Sequence, residues 1–360
     1  MRAYMVGQVH TYSIDRICPQ VKKRKGVPMK GYTLILLVMA GLLLLIPLPA
    51  LQSPPSAPPV SDETPVESRP QATTPPDPVQ GDDMFRILVD DTVVELGVRE
   101  FLIRTLAMEM SPTYHEEALK AQAVAAYTYY SRRQKLQQKS PDPALKGADF
   151  ATPDAAFPGN YTAVGLKKKW GDAYDTNYNK ICRAVDAVIG KTITHNGELI
   201  DACYFALSGG STESAAVVWG SDIPYLQAVA SPGDVLAPTC ESRLSFTAAD
   251  FKEKLTAAHS DLTLGDDPAG WLGELTHSSA GTVTAFPVGN LTLTGGQVRT
   301  ALGLRSACFT VSYDKEGFAF TVKGYGHRVG MSQYGADYLA RQGYRYDEIL
   351  TYYYKGVTVQ

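Results

Sequence analysis

A single carboxylic acid in an apolar setting is the first feature of this chain that could do chemistry. Glu109 stands between Met108 and Met110, at the end of a predicted helix. A carboxyl group among apolar neighbours holds its proton more tightly than one in water, as a general acid must. The same spacing also suits a solvated glutamate at a helix end, with no chemical role. A second candidate lies near the other end of the chain. His327 sits among Gly324, Gly326, Gly330 and Gly335. That pattern predicts a tightly turned loop delivering the imidazole to one place. The alternative is a histidine that buttresses its own loop. Between the two lies Ser208-Gly209-Gly210-Ser211-Thr212. Such small residues let backbone approach a ligand closely, and they also make ordinary turns.

These groups need elements to position them. Phe101, Leu102, Leu106 and Met110 recur at helical spacing, so a helix is expected over 98–110, stopped by Pro112. Thr113 and Glu116 fit a capping box for a second, alanine-rich helix. Before the pair, residues 85–89 and 93–96 read as a hairpin around Asp90-Asp91. Residues 139–180 contain Pro141, Pro143, Pro153 and Pro158, and read as a surface excursion carrying Trp170, Tyr174 and Tyr178. A third helix is expected over 177–188, ended by Gly190. Asn196-Gly197 predicts a hairpin between strands at 192–194 and 199–205. Further on come a helix over 246–255 capped by Thr247 and Asp250, and strands within 282–294 and 307–322. A helix through Leu339 and an aromatic helix over 346–354 close the chain. The expected class is α+β, mixed helices and antiparallel strands around one catalytic cleft.

The first eighty residues differ in kind. Lys22, Lys23, Arg24, Lys25 and Lys30 precede an uncharged, largely aliphatic stretch over 31–51. That is long enough to cross a hydrocarbon core of roughly 30 Å. The basic flank predicts a cytoplasmic N-terminus, residues 1–30, with the rest outside. Leu48-Pro49-Ala50 makes a poor cleavage site, so an uncleaved transmembrane helix is expected, single-pass in the cell membrane. Residues 52–83 are rich in proline and read as a disordered, extended linker. Residues 84–360 are expected to form the extracytoplasmic domain. The 360-residue length suffices for real cores, and a net charge of -3 shows no nucleic-acid footprint. The 21 tyrosines suit sugar or peptide contacts as well as core packing. Cys182, Cys203, Cys240 and Cys308 lie on the exported side, where disulfides are permitted. Their spacing indicates no zinc site, and no cofactor is expected.

Further motifs line up in order. Glu109-Met110 is followed by Glu117-Ala118-Leu119-Lys120-Ala121-Gln122-Ala123-Val124-Ala125-Ala126. Tyr204-Phe205, Ser208-Gly209-Gly210, Val218-Trp219, Pro224-Tyr225-Leu226 and Ser231-Pro232 come next. Gly326-His327, the run from Gly330 to Ala336, Ile349-Leu350 and Tyr352-Tyr353 end the series. From about residue 84 to 360 this combination resembles the stage II sporulation protein D family, the SpoIID/LytB domain. The resemblance implies a peptidoglycan lytic transglycosylase of spore engulfment. It implies cleavage of the MurNAc–GlcNAc linkage in peptide-stripped glycan strands, leaving 1,6-anhydroMurNAc ends. Glu109 falls at the catalytic position. Motif position puts Lys120, Gln122, Ser208, Gly209, Gly210, Thr212, His327, Ser332, Gln333 and Tyr334 at the substrate. Implied partners are a cell-wall amidase and membrane engulfment proteins. Two departures stand out: Tyr127 replaces the family's usual arginine, and the Cys/His zinc cluster of some members has no counterpart before Asn177. The rival reading is a non-enzymatic amidase enhancer or cell-wall binding protein of the LytB branch.

The anchor makes one prediction. Protease added to intact protoplasts trims the chain to a small membrane-held fragment; a full-length chain that resists protease and is soluble after lysis refutes the anchor.

Overall fold

The computed structural model describes residues 83–151 and 161–360. The basic N-terminus, the apolar stretch and the linker as far as residue 82 lie outside the described residues. Among the described residues no helix is long and apolar enough to cross a membrane.

Asp90 and Asp91 both take positive φ, 42° and 67°, as a type I′ turn requires. They join β1 (Met84–Val89) to β2 (Thr92–Gly97) in antiparallel register. α1 (Val98–Glu109) follows directly, and stops where Met110 turns extended ahead of Pro112. α2 (Glu116–Lys139) starts later than the expected cap at Thr113. The Tyr114 N–H closes a turn on the Ser111 carbonyl at 3.1 Å, which carries the chain past Thr113 before helical dihedrals begin. The Thr113 hydroxyl bonds Ser111 Oγ at 2.8 Å. His115 is the cap, its Nδ1 accepting the Glu117 N–H at 3.3 Å.

Residues 139–180 are more than a surface excursion. β3 (Phe150–Ala151) pairs in parallel with β1, and α3 (Ala163–Trp170) and α4 (Tyr174–Asp186) follow. Phe150 and Leu166 sit in the main core. The second hairpin holds as β4 (Ile193–His195) and β5 (Glu198–Leu199), with φ of 52° at Asn196 and 81° at Gly197. Its long second strand does not form. A tight turn, Cys203 N–H to Asp201 O at 2.8 Å, breaks the ladder. β6 (Tyr204–Phe205) then pairs in parallel with Met331–Ser332. A short helix, α5 (Ala215–Trp219), comes next.

Residues 241–323 build a second core. They run β7 (Glu241–Phe246), α6 (Ala248–Ala258), β8 (Thr276–His277), β9 (Val283–Val288), β10 (Leu291–Leu293), α7 (Gly295–Leu302), β11 (Phe309–Asp314) and β12 (Gly317–Lys323). The sheets are antiparallel, in orders β11-β12-β7 and β10-β9-β8. Phe251 and Trp271 stack on Phe318, ring centroids 4.0 and 5.8 Å away. Thr247 caps α6 as expected, accepting the Asp250 N–H at 3.1 Å. The chain then returns to the first core through β13 (Met331–Ser332), α8 (Gln333–Arg341), α9 (Tyr346–Tyr353) and β14 (Thr358–Val359), the last pairing with β4. The architecture is mixed α and β, with antiparallel sheets and two short parallel pairings.

The first core is arranged about α2. Ala118, Leu119, Ala121, Gln122, Val124 and Ala125 are fully buried, and α1, α4, α8 and α9 pack around the helix. The return into this core demands glycine. Gly330 has φ 81°, and a Cβ there would overlap the Cys203 carbonyl oxygen beside β6. Gly330→Ala therefore lowers stability by about 2 kcal/mol or more. Urea unfolding measures it, and a wild-type midpoint would refute this account of the β6–β13 pairing.

Candidate active site

Glu109 is the last residue of α1. The negative end of the helix dipole disfavours another negative charge there. Its side chain is partly covered. Burial pushes its pKa up to about 7, against a smaller downward pull from Gln333; no neighbouring cation or carboxylate contributes. Gln333 Nε2 donates to Glu109 Oε2 and to Gln122 Oε1, each over 3.4 Å. Both glutamines are buried, and Gln122 Nε2 has no partner. A buried open donor is uncommon.

Two phenols complete the setting. Tyr130 lies on α2, two turns beyond Gln122, and Tyr204 lies on β6. Burial raises the pKa of both hydroxyls, and the charge of Glu109 raises them further. Both remain neutral donors at any physiological pH. The site thus gathers α1, α2, β6 and the first residue of α8 around one acid.

The other expected site residues fall in different surroundings. Lys120 pairs with Glu117 at 2.8 Å and Glu116 at 3.6 Å on its own helix. The Ser208 and Ser332 hydroxyls donate to Asp234, at 2.5 and 2.8 Å. Thr212 Oγ1 accepts the Val229 N–H at 2.8 Å. Gly209 packs against Lys323, and Gly210 takes φ 111° beside Val235. Tyr334 is half-buried, edge-on to Tyr114 at 6.4 Å. His327 is held neutral, its pKa lowered to about 4 by burial and by the charge of Arg299. Its Nδ1 accepts the Val329 N–H at 3.1 Å, and its ring lies 5.4 Å from Trp219 and 5.7 Å from Phe205. A hydrogen bond with the Tyr204 backbone ties it to the strand that carries that phenol.

Tyr130, Tyr204 and Asp234 are polar groups of this region that spacing did not single out. Gln122 and Tyr130 share a helix face by their interval, a signal present in the sequence but shared by many helices. Tyr127 lies on the other side, its ring 6.5 Å from Phe85 of the first hairpin. No group of three or more His, Cys, Asp or Glu that could hold a metal occurs among the described residues. Cys182, Cys203, Cys240 and Cys308 are unpaired.

The fold and site define a mixed α/β domain built around one shielded carboxylic acid, set among amide and phenol donors. A profile of the SpoIID family, described as stage II sporulation protein, matches residues 90–195. The chain is 35% identical over 341 residues to stage II sporulation protein D of Bacillus subtilis (strain 168), spanning 92% of this chain and 96% of that one. It is 36% identical over 269 residues to the protein of the same name from Bacillus amyloliquefaciens, spanning 74% and 75%. It is also 27% identical over 309 residues to the amidase enhancer of Bacillus subtilis (strain 168), spanning 70% of this chain and 39% of that one. The chain belongs to the stage II sporulation protein D family.

The raised pKa of Glu109 has a consequence for stability. Its folded value of about 7 exceeds the ordinary 4.5, so the native state binds this proton more tightly. The resulting stabilisation is full below the ordinary value and is lost as pH rises through about 7. Glu109→Gln removes that dependence. At pH 8 the variant melts a few degrees above wild type, and at pH 4 the gap narrows. Calorimetry at the two pH values checks this, and an equal difference at both refutes it.

Proposed function

We propose that this protein is a peptidoglycan lytic transglycosylase acting on peptide-stripped glycan strands in spore engulfment. The observation that carries the reading is Glu109, a shielded acid whose ionisation no second carboxylate perturbs. Ordinary glycosidases employ two carboxyl groups, and the closely spaced pair of a retaining enzyme would perturb each other. An intramolecular attack needs only one.

In the proposed reaction, Glu109 donates its proton to the glycosidic oxygen between MurNAc and GlcNAc. The C1–O bond breaks and positive charge develops at C1. The Glu109 carboxylate then takes the proton of the MurNAc C6 hydroxyl, whose oxygen bonds C1 to close the 1,6-anhydro ring. One residue acts as acid and then base, ending as it began. Gln333 steadies the carboxylate in the interval. The Tyr130 and Tyr204 hydroxyls donate to sugar oxygens. The domain works outside the membrane on its anchor, with a cell-wall amidase preparing the strands.

The amidase enhancer among the relatives keeps a second reading alive, binding and stimulation without cutting. Product analysis separates the two. Wild-type protein incubated with peptide-free glycan yields anhydro-muramyl ends by mass spectrometry. Glu109→Gln folds and loses at least about 100-fold in rate. The wild-type rate falls as pH rises through about 7, because the acid must start protonated. Full activity in the glutamine variant defeats the assignment of Glu109, and an inactive wild type that still stimulates an amidase favours the second reading.

A further inference from the structure

Asp234 is fully buried, and no cation pairs with it among the described residues. Its ligands are hydrogen-bond donors. Oδ2 accepts the Ser208 N–H at 2.7 Å and the Ser208 hydroxyl at 2.5 Å. Oδ1 accepts the Ser332 hydroxyl at 2.8 Å. Burial raises its pKa, and the bonds from Ser208, Ser332 and Ser231 oppose the rise. The groups that face it are Tyr114, Cys240 and Tyr353, all neutral.

Both serines pass the constraint on. Ser332 Oγ accepts the Gly335 N–H at 3.1 Å and so caps α8. The next residue is Gln333, the side chain that meets Glu109. Ser208 Oγ accepts the Gly210 N–H at 3.1 Å and fixes the start of the Gly-Gly turn. The nest leaves no slack. A Cβ at Gly233 would overlap the Tyr338 ring, and one at Gly335 would overlap Tyr353 Oη and Ser231 Oγ. Meanwhile the Gln333–Glu109 bond is long, 3.4 Å. A bond at that length changes strength with small shifts of its donor.

We infer that Asp234 is a positioning residue for the acid: through the Ser332 cap it sets where Gln333 meets Glu109. The proposal rests on Glu109 being the working acid, and deepens that reading. Asp234 touches neither Glu109 nor the sugar. It acts through α8, by holding the first turn in one place. The purely structural alternative is a buried carboxylate that fastens the 231–234 turn to the core and leaves Glu109 unaffected.

The Glu109 carboxyl titration tells them apart in the full-length chain. Glutamate carrying 13C in the side-chain carboxyl reports it by NMR, assigned by the signal missing in Glu109→Gln. The other ionisable groups beside Glu109 are Tyr130 and Tyr204, neutral throughout the range. Asp234→Asn keeps the shape but loses an acceptor, so Gln333 donates less well. The Glu109 midpoint rises by about half a unit or more. The turnover rate falls about tenfold with KM little changed, because the ground-state sugar contacts remain. Gln333→Leu raises the midpoint similarly, and the double variant adds nothing further. Ser332→Ala cuts the same path at its other end and serves if Asp234→Asn does not fold. An unmoved midpoint in the folded variant, or an additive double variant, overturns the proposal. A wild type that cleaves no glycan while these midpoints still shift upholds the positioning and sinks only the transglycosylase reading.

Discussion

Everything at the site depends on the first half of one helix being closely enclosed. α2 can be, because five of the first twelve residues of the helix are alanine. Alanine adds little girth and loses no side-chain entropy, so α1, α4, α8 and α9 all close around it. The polar side chains on its enclosed face have no solvent to satisfy them. Thr128 resolves this by donating to the Val124 carbonyl at 2.8 Å and accepting the Ile193 N–H at 3.0 Å. Gln122 resolves only half of it: its Oε1 accepts Gln333 Nε2 at 3.4 Å, and its own Nε2 is left open. The enclosure that holds the fold together also makes a carboxyl group at the end of α1 a reluctant acid.

Buried ionic side chains hold the loops that α2 does not reach. Asp234 gathers Ser208 and Ser332 on one carboxylate. Arg328, also fully buried, reaches the Ser211 carbonyl at 2.9 Å, the Ala280 carbonyl at 2.6 Å and Thr282 Oγ1 at 2.8 Å. Glu213 accepts the Ser278 hydroxyl at 2.5 Å nearby. Arg328 and Glu213 thereby fasten the second core, residues 241–323, to the loops of the first. Burying charge is costly, and these residues offset it with hydrogen bonds to neutral groups. Such bonds are directional, so they fix geometry more narrowly than apolar contact does.

Much of the architecture was legible in local chemistry. The Asp90-Asp91 and Asn196-Gly197 turns form as their residue types require, because positive φ at consecutive positions leaves few other conformations. Pro112 ends the first helix, and Thr247 caps α6. Local reading failed where a distant partner competed. Thr113 lost the cap of α2 to His115, whose backbone N–H is held by Asp337 at 2.5 Å, far along the chain. The strand after Asn196-Gly197 stopped short because Tyr204 and Phe205 found Met331 and Ser332 instead.

The site divides the same way. Sequence alone determined that Glu109 would end a helix among apolar residues, since helix spacing and proline are properties of neighbours in the chain. It could not determine that Gln122, Tyr130, Tyr204 and Gln333 would surround it. Nor could it show that Ser208 and Ser332 would be taken up by Asp234. Those facts depend on burial and on hydrogen bonds between segments up to 224 residues apart, as Gln333 is from Glu109. Burial is a property of the packed molecule, and only tertiary structure turned an ordinary glutamate into a group that holds its proton near neutral pH.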